Sequence, residues 1–147
     1  VVADITLHPI GRVIGLAGGL PYHLLAHPQR LDPSGALSFL TTLPEGEEIV
    51  LMRGSRETLT TRAGRVVRSA LESGDVDLDD VAGGLVVYCA GCMLTVYDRM
   101  AEVAESVRAA MPDRPFLGFF VLGEQGCFPG GENRHGNQMI CASLFVR

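Results

Sequence analysis

Apolar residues run without a break from Leu85 to Cys89, and the chain then turns through Ala90-Gly91-Cys92. A run of that length without alternation reads as a strand covered on both faces, central in its sheet. Residues at its C-terminal end therefore stand where open α/β sheets bind ligands. Upstream, Leu59, Ala63, Val66, Val67, Ala70 and Leu71 recur at helical spacing. Arg56, Arg62, Arg65, Arg68 and Glu72 fill the rest of that wheel and read as a solvated face. Ser55 is the expected N-cap of this helix and Gly74 its expected C-cap. Downstream, Met100, Val103, Ala104, Val107 and Met111 mark a second helix, which Pro112 stops. Residues 115–122 read as a second buried strand and 138–146 as a closing strand, with a glycine-rich loop over 123–136 between them.

The first 35 residues are less regular and form an entry segment. Residues 2–7 alternate and predict a short strand, with 13–16 returning as its hairpin partner across His8-Pro9-Ile10-Gly11. Residues 22–27 predict a helical turn before Pro28. Residues 36–43 and 48–53, joined by the polar turn Pro44-Glu45-Gly46-Glu47, predict an antiparallel pair. The fold class is therefore α+β: a mixed, largely antiparallel sheet with two helices packed on it, in one domain over 1–147.

Composition narrows the function. A net charge of −5 and the absence of lysine argue against nucleic acid, which calls for clustered basic residues. No apolar run is long enough to span a membrane, and no signal-peptide pattern is present. Four cysteines, two inside apolar strands, favour reduced thiols and a cytoplasmic setting. The start at Val1 fits a domain taken from a longer protein.

Candidate chemistry centres on Cys89-x-x-Cys92. As a zinc half-site it lacks a second CxxC or HxxxH. As a redox dithiol it has a thiol near a helix start, yet its first cysteine is the buried end of a strand. Packed or site-lining thiols are the reading preferred here. His8, His23 and His27 lack a helical HExxH context and read as loop histidines. The aspartates of 75–80 lack the glycine and distal glutamate of an EF-hand, so they read as a solvated linker. No metal and no cofactor is expected. Glu124, flanked by Gly123 and Gly126, can accept from an amine or act as a base. His135 is the strongest general-base candidate, and Asn137 offers an amide.

These residues fall into a familiar order. Leu43-Pro44-Glu45-Gly46, Cys89-Ala90-Gly91, Gly118-Phe119-Phe120 with Gly123-Glu124, and His135-Gly136-Asn137-Gln138 together resemble the FIST C-terminal domain. That resemblance implies a non-enzymatic sensory domain that binds small ligands such as amino acids, joined to a FIST N-terminal domain through the segment around His8-Pro9. It also implies Cys-x-x-Arg after the central strand, where this chain has Cys92. Arg99 and Arg134 are the candidates to replace that arginine. The expected ligand site is Cys89, Cys92, Arg99, Glu124, His135 and Asn137. With the N-terminal domain removed, an exposed apolar face would favour a homodimer. A thiol-dependent enzyme with Cys89 or Cys92 as nucleophile and His135 as base is the alternative.

Overall fold

The computed structural model of the chain describes residues 5–17, 19–128 and 132–147. Its strands and helices give an α+β arrangement. The organising element is β6, Val81–Cys89, flanked by β10, Ile140–Val146, on one side and β7, Phe116–Val121, on the other. β10 runs antiparallel to it, with Ile140 opposite Tyr88 and Ala142 opposite Val86. β7 runs parallel, with Val86 opposite Gly118 and Tyr88 opposite Phe120. The expectation that this apolar run is a central strand holds.

Two helices cover one face of that sheet. α1, Arg56–Gly74, opens on a capping box: Ser55 Oγ accepts the Thr58 N–H at 3.1 Å, and Thr58 Oγ1 accepts the Ser55 N–H at 2.9 Å. Its end differs from expectation. Gly74 is the last helical residue, and Asp75 adopts the left-handed conformation (φ 49°). The closing bond runs from the Val76 N–H to the Leu71 carbonyl at 3.0 Å, which draws Val76 back over the helix. Between α1 and β6 lies a 3₁₀ turn, Leu78–Asp80. After β6 come the short helix α2, Ala90–Thr95, a 3₁₀ turn, Tyr97–Arg99, and α3, Met100–Ala110.

α1 and α3 pack closely at Gly64. A Cβ added there would lie 2.1 Å from the Ser106 carbonyl oxygen, so only glycine fits. The core joins Leu59, Ala63 and Val67 of α1 to Val103 and Val107 of α3, over Val86, Tyr88 and Ile140. Residues at alternate positions of the sheet face the other way. Leu117 and Phe119 of β7 and Phe145 of β10 lie on that side and are exposed. The expectation that 115–122 is a buried strand is thereby corrected: β7 is an edge strand, exposed from Leu117 to Phe120 on both of its faces.

The N-terminal part departs furthest from the sequence reading. Residues 2–4 lie outside the described residues, and Ile5-Thr6 is helical rather than extended. The hairpin is instead β1, Ile10–Ala17, with β2, Leu20–Ala26, in register from Ile10–Ala26 to Ala17–Leu20. The segment expected as a helical turn is thus mostly strand. Its inward residues, Leu24 and Ala26, alternate along β2, a period too short to separate strand from helix by pattern alone.

β3, Pro28–Leu31, pairs with β4, Leu37–Phe39, whereas β5, Val50–Leu51, pairs with β1. The expected pairing of 36–43 with 48–53 therefore does not form: β4 adds to β3, its neighbour in the chain, and β5 to the distant β1. Within the expected loop over 123–136, β8, Glu124–Cys127, and β9, Asn133–Gly136, form a further antiparallel hairpin, while residues 129–131 lie outside the described residues.

Candidate functional site

The C-terminal end of β6 is where polar groups gather in the core. Cys89 is the last strand residue, and α2 begins at Ala90, which places Cys92 in the first helical turn. Both are free thiols. Cys89 is 7% exposed and Cys92 is fully buried. The Cys92 thiol and the N–H groups of Cys92 and Gly91 all favour the Cys89 thiolate, and they bring its pKa down to about 7 against the opposing effect of burial. The same thiol contact, together with burial, pushes Cys92 strongly upward.

The β8–β9 hairpin covers this end of the sheet. Antiparallel pairing sets Glu124 opposite Gly136 and Gln125 opposite His135. The Cys141 thiol of β10 donates to the Gln125 carbonyl at 3.4 Å, tying the hairpin to the sheet. Glu124 is buried, 2% exposed, and its Oε2 accepts the Met139 N–H at 3.4 Å. Its Oε1 is buried, with no hydrogen-bond partner among the described residues. Burial raises the Glu124 pKa; the Met139 N–H, the nearby Cys89 thiol and the His135 charge offset part of that rise.

Gln138 completes the cluster. It is 3% exposed, holds a left-handed backbone (φ 56°), and its Nε2 is likewise buried without a partner among the described residues. Its carbonyl accepts from Arg62 Nη1 at 2.9 Å. A strained backbone next to two orphaned polar atoms is characteristic of functional sites, because packing alone does not favour either.

Arg62, like Gln138, is a member that sequence reasoning missed. It was assigned to the solvated face of α1, yet it is half-buried, and its charge acts on Cys92, Tyr88 and Cys141. Its position three residues after Leu59 and four before Val66, on the flank of the apolar stripe, is the signal that could have exposed it. Tyr88, on the helix-facing side of β6, donates its hydroxyl to the Leu59 carbonyl at 3.0 Å. Burial pushes its pKa up.

The other expected site residues are placed differently. His135 is exposed, and its Nε2 lies 3.7 Å from where a Cβ on Gly123 would sit. Asn137 Oδ1 accepts the His27 N–H at 3.0 Å while its own N–H donates to Leu25, so it joins β2 and β3 to the turn before β10. Arg99 is paired with Glu57 of α1 and Glu102 of α3. Arg134 is paired with Glu132. The structure thus brings Cys89, Cys92 and Glu124 together, with His135 at the edge, and engages Asn137 and Arg99 elsewhere.

A separate concavity of about 240 Å³ lies against the β1–β2 hairpin, lined by Ile14, Leu16, Tyr22, Phe128, Glu132 and Arg134. Tyr22 and Phe128 meet there edge to face at 6.4 Å between ring centroids. None of the cysteine-cluster residues lines it. Among the described residues no group of three or more His, Cys, Asp or Glu side chains is arranged to hold a metal ion.

Residues 2–127 match the FIST C domain family. The chain belongs to that family. The match takes in β6, the Cys89–Cys92 turn and Glu124, and ends at the last residue of β8. β9, the Gln138 turn and β10 follow it, and β10 pairs with the central strand throughout its length. No curated protein and no solved structure matches the chain. FIST C domains are sensory domains of signal-transduction proteins. No helix among the described residues is long and apolar enough to cross a membrane.

Proposed function

We propose that this FIST C domain binds a small amine-bearing metabolite, of the amino-acid class, at the C-terminal end of β6. One observation carries the reading: Glu124 is buried with one carboxylate oxygen unpartnered, and the nearby turn buries an unpartnered Gln138 amide nitrogen. Each orphan of this kind costs about 1–3 kcal/mol in the unliganded fold. A ligand carrying an ammonium group and an acceptor would satisfy both, donating to Glu124 Oε1 and accepting from Gln138 Nε2. Cys89 and Cys92 line the same place, and His135 stands at its edge.

The sensory output follows from position. The site joins β6, the β8–β9 hairpin and α1 through Glu124, Gln138 and Arg62, so a bound ligand favours the arrangement in which those elements are closed together. The FIST N-terminal domain is the partner that would register the change, and the cytoplasm is the compartment in keeping with reduced thiols.

A thermal-shift screen against amino acids and related amines tests the binding. Because a ligand bound only to the folded state raises its melting temperature, one amine class is expected to raise it by several degrees. Glu124→Gln is expected to abolish that shift. If no amine stabilises the wild-type chain, or if the Gln variant responds equally, the reading is wrong.

A further inference from the structure

An edge strand presents a row of unpaired N–H and C=O groups, and proteins guard it with charge, proline, a bulge or a cover. β7 has none of these among the described residues. It pairs with β6 alone, in a register without a break, and no other described residue bonds to its outward backbone groups. Residues 116–122 carry no charge and no proline. Leu117, Phe119 and Phe120 are exposed, and Leu122, just beyond the strand, is 87% exposed. β10, the other edge of the same sheet, is guarded. The Cys141–Gln125 bond ties the β8–β9 hairpin across its start, and its register shifts between Phe145 and Val146.

The helix layer stops short of β7. Phe120 stands opposite Tyr88 on the helix side of the sheet. Tyr88 meets its ring edge to face at 6.2 Å between centroids, yet half of Phe120 remains exposed. At the other end of the strand an open concavity of about 850 Å³ lies between α3 and the start of β7, with Pro112, Pro115 and Phe116 in its lining. The charges around it balance, Glu105 and Asp113 against Arg108 and Arg114. The fitting occupant of this edge is an extended, uncharged, apolar segment. β7 itself meets that description, and locally balanced charge lets two copies approach.

We infer that β7 is a self-pairing surface: it adds antiparallel to β7 of a second copy about a two-fold axis through Phe119, joining the two three-stranded sheets into one. The axis stands perpendicular to the sheet and keeps each face on its own side, so opposite residues are separated by an even number of positions. Two registers centre on the exposed stretch. A register centred on Gly118 sets two glycines opposite each other and Leu122 opposite the partner's Arg114. The register centred on Phe119 sets Phe119 opposite the partner's Phe119 and Leu117 opposite the partner's Val121 on the bare face. On the helix side it sets Phe120 opposite the partner's Gly118 and Leu122 opposite the partner's Phe116, at the concavity. A Cβ at Gly118 would meet only the Val86 carbonyl, at 3.8 Å, so there is room for a ring to cover it. This second register leaves fewer apolar side chains in water.

Sedimentation velocity on the 147-residue chain over a wide concentration range tests the pairing. A reversible dimer that populates as concentration rises is expected. Phe119→Lys sets two ammonium groups opposite each other across the axis and is expected to weaken the dimer about tenfold or more. Phe119 is exposed, so this variant is expected to fold, which an unchanged melting temperature in dilute solution verifies. A chain that stays monomeric at every concentration would overturn the inference. So would an undiminished dimer in Phe119→Lys, or open-ended association, since two-fold pairing closes at two copies.

Cysteine crosslinking reads the register, in a Cys127→Ser background that removes the exposed thiol. Phe119→Cys places its thiol and the partner's on the axis, with Cα atoms about 4.5–5.5 Å apart and within reach of a disulfide. Leu117→Cys leaves the two thiols about 13 Å apart along the strands, out of reach. Mild oxidation is therefore expected to link two chains in the first variant and not in the second. Linking in Leu117→Cys, or its absence in Phe119→Cys, would overturn the register. Neither assay contains an amine ligand, so failure here is separate from failure of the binding reading.

Discussion

The two faces of the β10-β6-β7 sheet are built from the same strands, yet they lead different lives. On the helix-covered face, Val86, Tyr88 and Ile140 are buried beneath α1 and α3. On the opposite face, Leu117, Phe119 and Phe145 are equally apolar and exposed. At the C-terminal end of that second face, where Cys89 and Cys141 would otherwise be bare, β8 folds over and brings Glu124 with it. Cover by close-packed helices buries an apolar core in which the Tyr88 hydroxyl is paired with Leu59 and the Gly64 N–H with Ser106. Cover by a short hairpin sets thiols beside buried polar atoms that lack partners among the described residues. The proposed site lies where the cover is thinnest, because an ordered core has no unsatisfied group to offer a ligand.

Gly64→Ala breaks the covered face most severely. Alanine gains about 1 kcal/mol of helix propensity, but its Cβ collides with the Ser106 backbone, which cannot yield as a flexible side chain would. A net loss of about 2 kcal/mol or more is expected, seen as a drop of about 4–8 °C in melting temperature.

Tyr88→Phe tests the same face more gently. It removes the hydroxyl bond to Leu59 while keeping the ring, and should cost about 1 kcal/mol by urea titration.

The hairpin-covered end is expected to respond in the opposite sense. Burial raises the Glu124 pKa, so the folded chain retains a proton that the unfolded chain has released. Stability from this group is fully present below the ordinary carboxylate pKa and is lost as pH rises through the raised folded value. Glu124→Gln removes that loss. Urea midpoints compared at about pH 4 and about pH 8 should show a smaller fall in the variant, with a gain of about 1 kcal/mol at the higher pH. A chain that becomes more stable as it loses amine binding would show that the site is held at a cost to the fold.

Phe119→Ser probes the bare face and should change stability least, within about 0.5 kcal/mol, because the side chain is already exposed. Light scattering is expected to show less self-association in this variant. A large loss of stability would mean that the face is covered within the chain after all.

Periodicity and end signals in the sequence located α1, α3, β6 and β10, and the Ser55 cap was visible as a single residue type at the right place. These are local facts: helix period, strand period and capping all act within a few residues. The order of family motifs along the chain likewise points to the FIST C domain. What the sequence could not decide was pairing. Residues 48–53 had a near neighbour in 36–43, but β5 added to β1 and β4 to β3, because short strands choose partners by the whole packing.

The site divides in the same way. Cys89, Cys92 and Glu124 were legible as residue types beside glycines at strand ends. The roles of Arg62 and Gln138 were not, since one required α1 to lie against the β10 entry turn and the other a left-handed backbone in a buried turn. Asn137 and Arg99 read as ligand groups by residue type, and the fold gives them backbone and carboxylate partners. A sequence names the groups that are able to do chemistry. Only tertiary structure decides which of them are left unpaired, because partners distant in the chain are supplied by the fold.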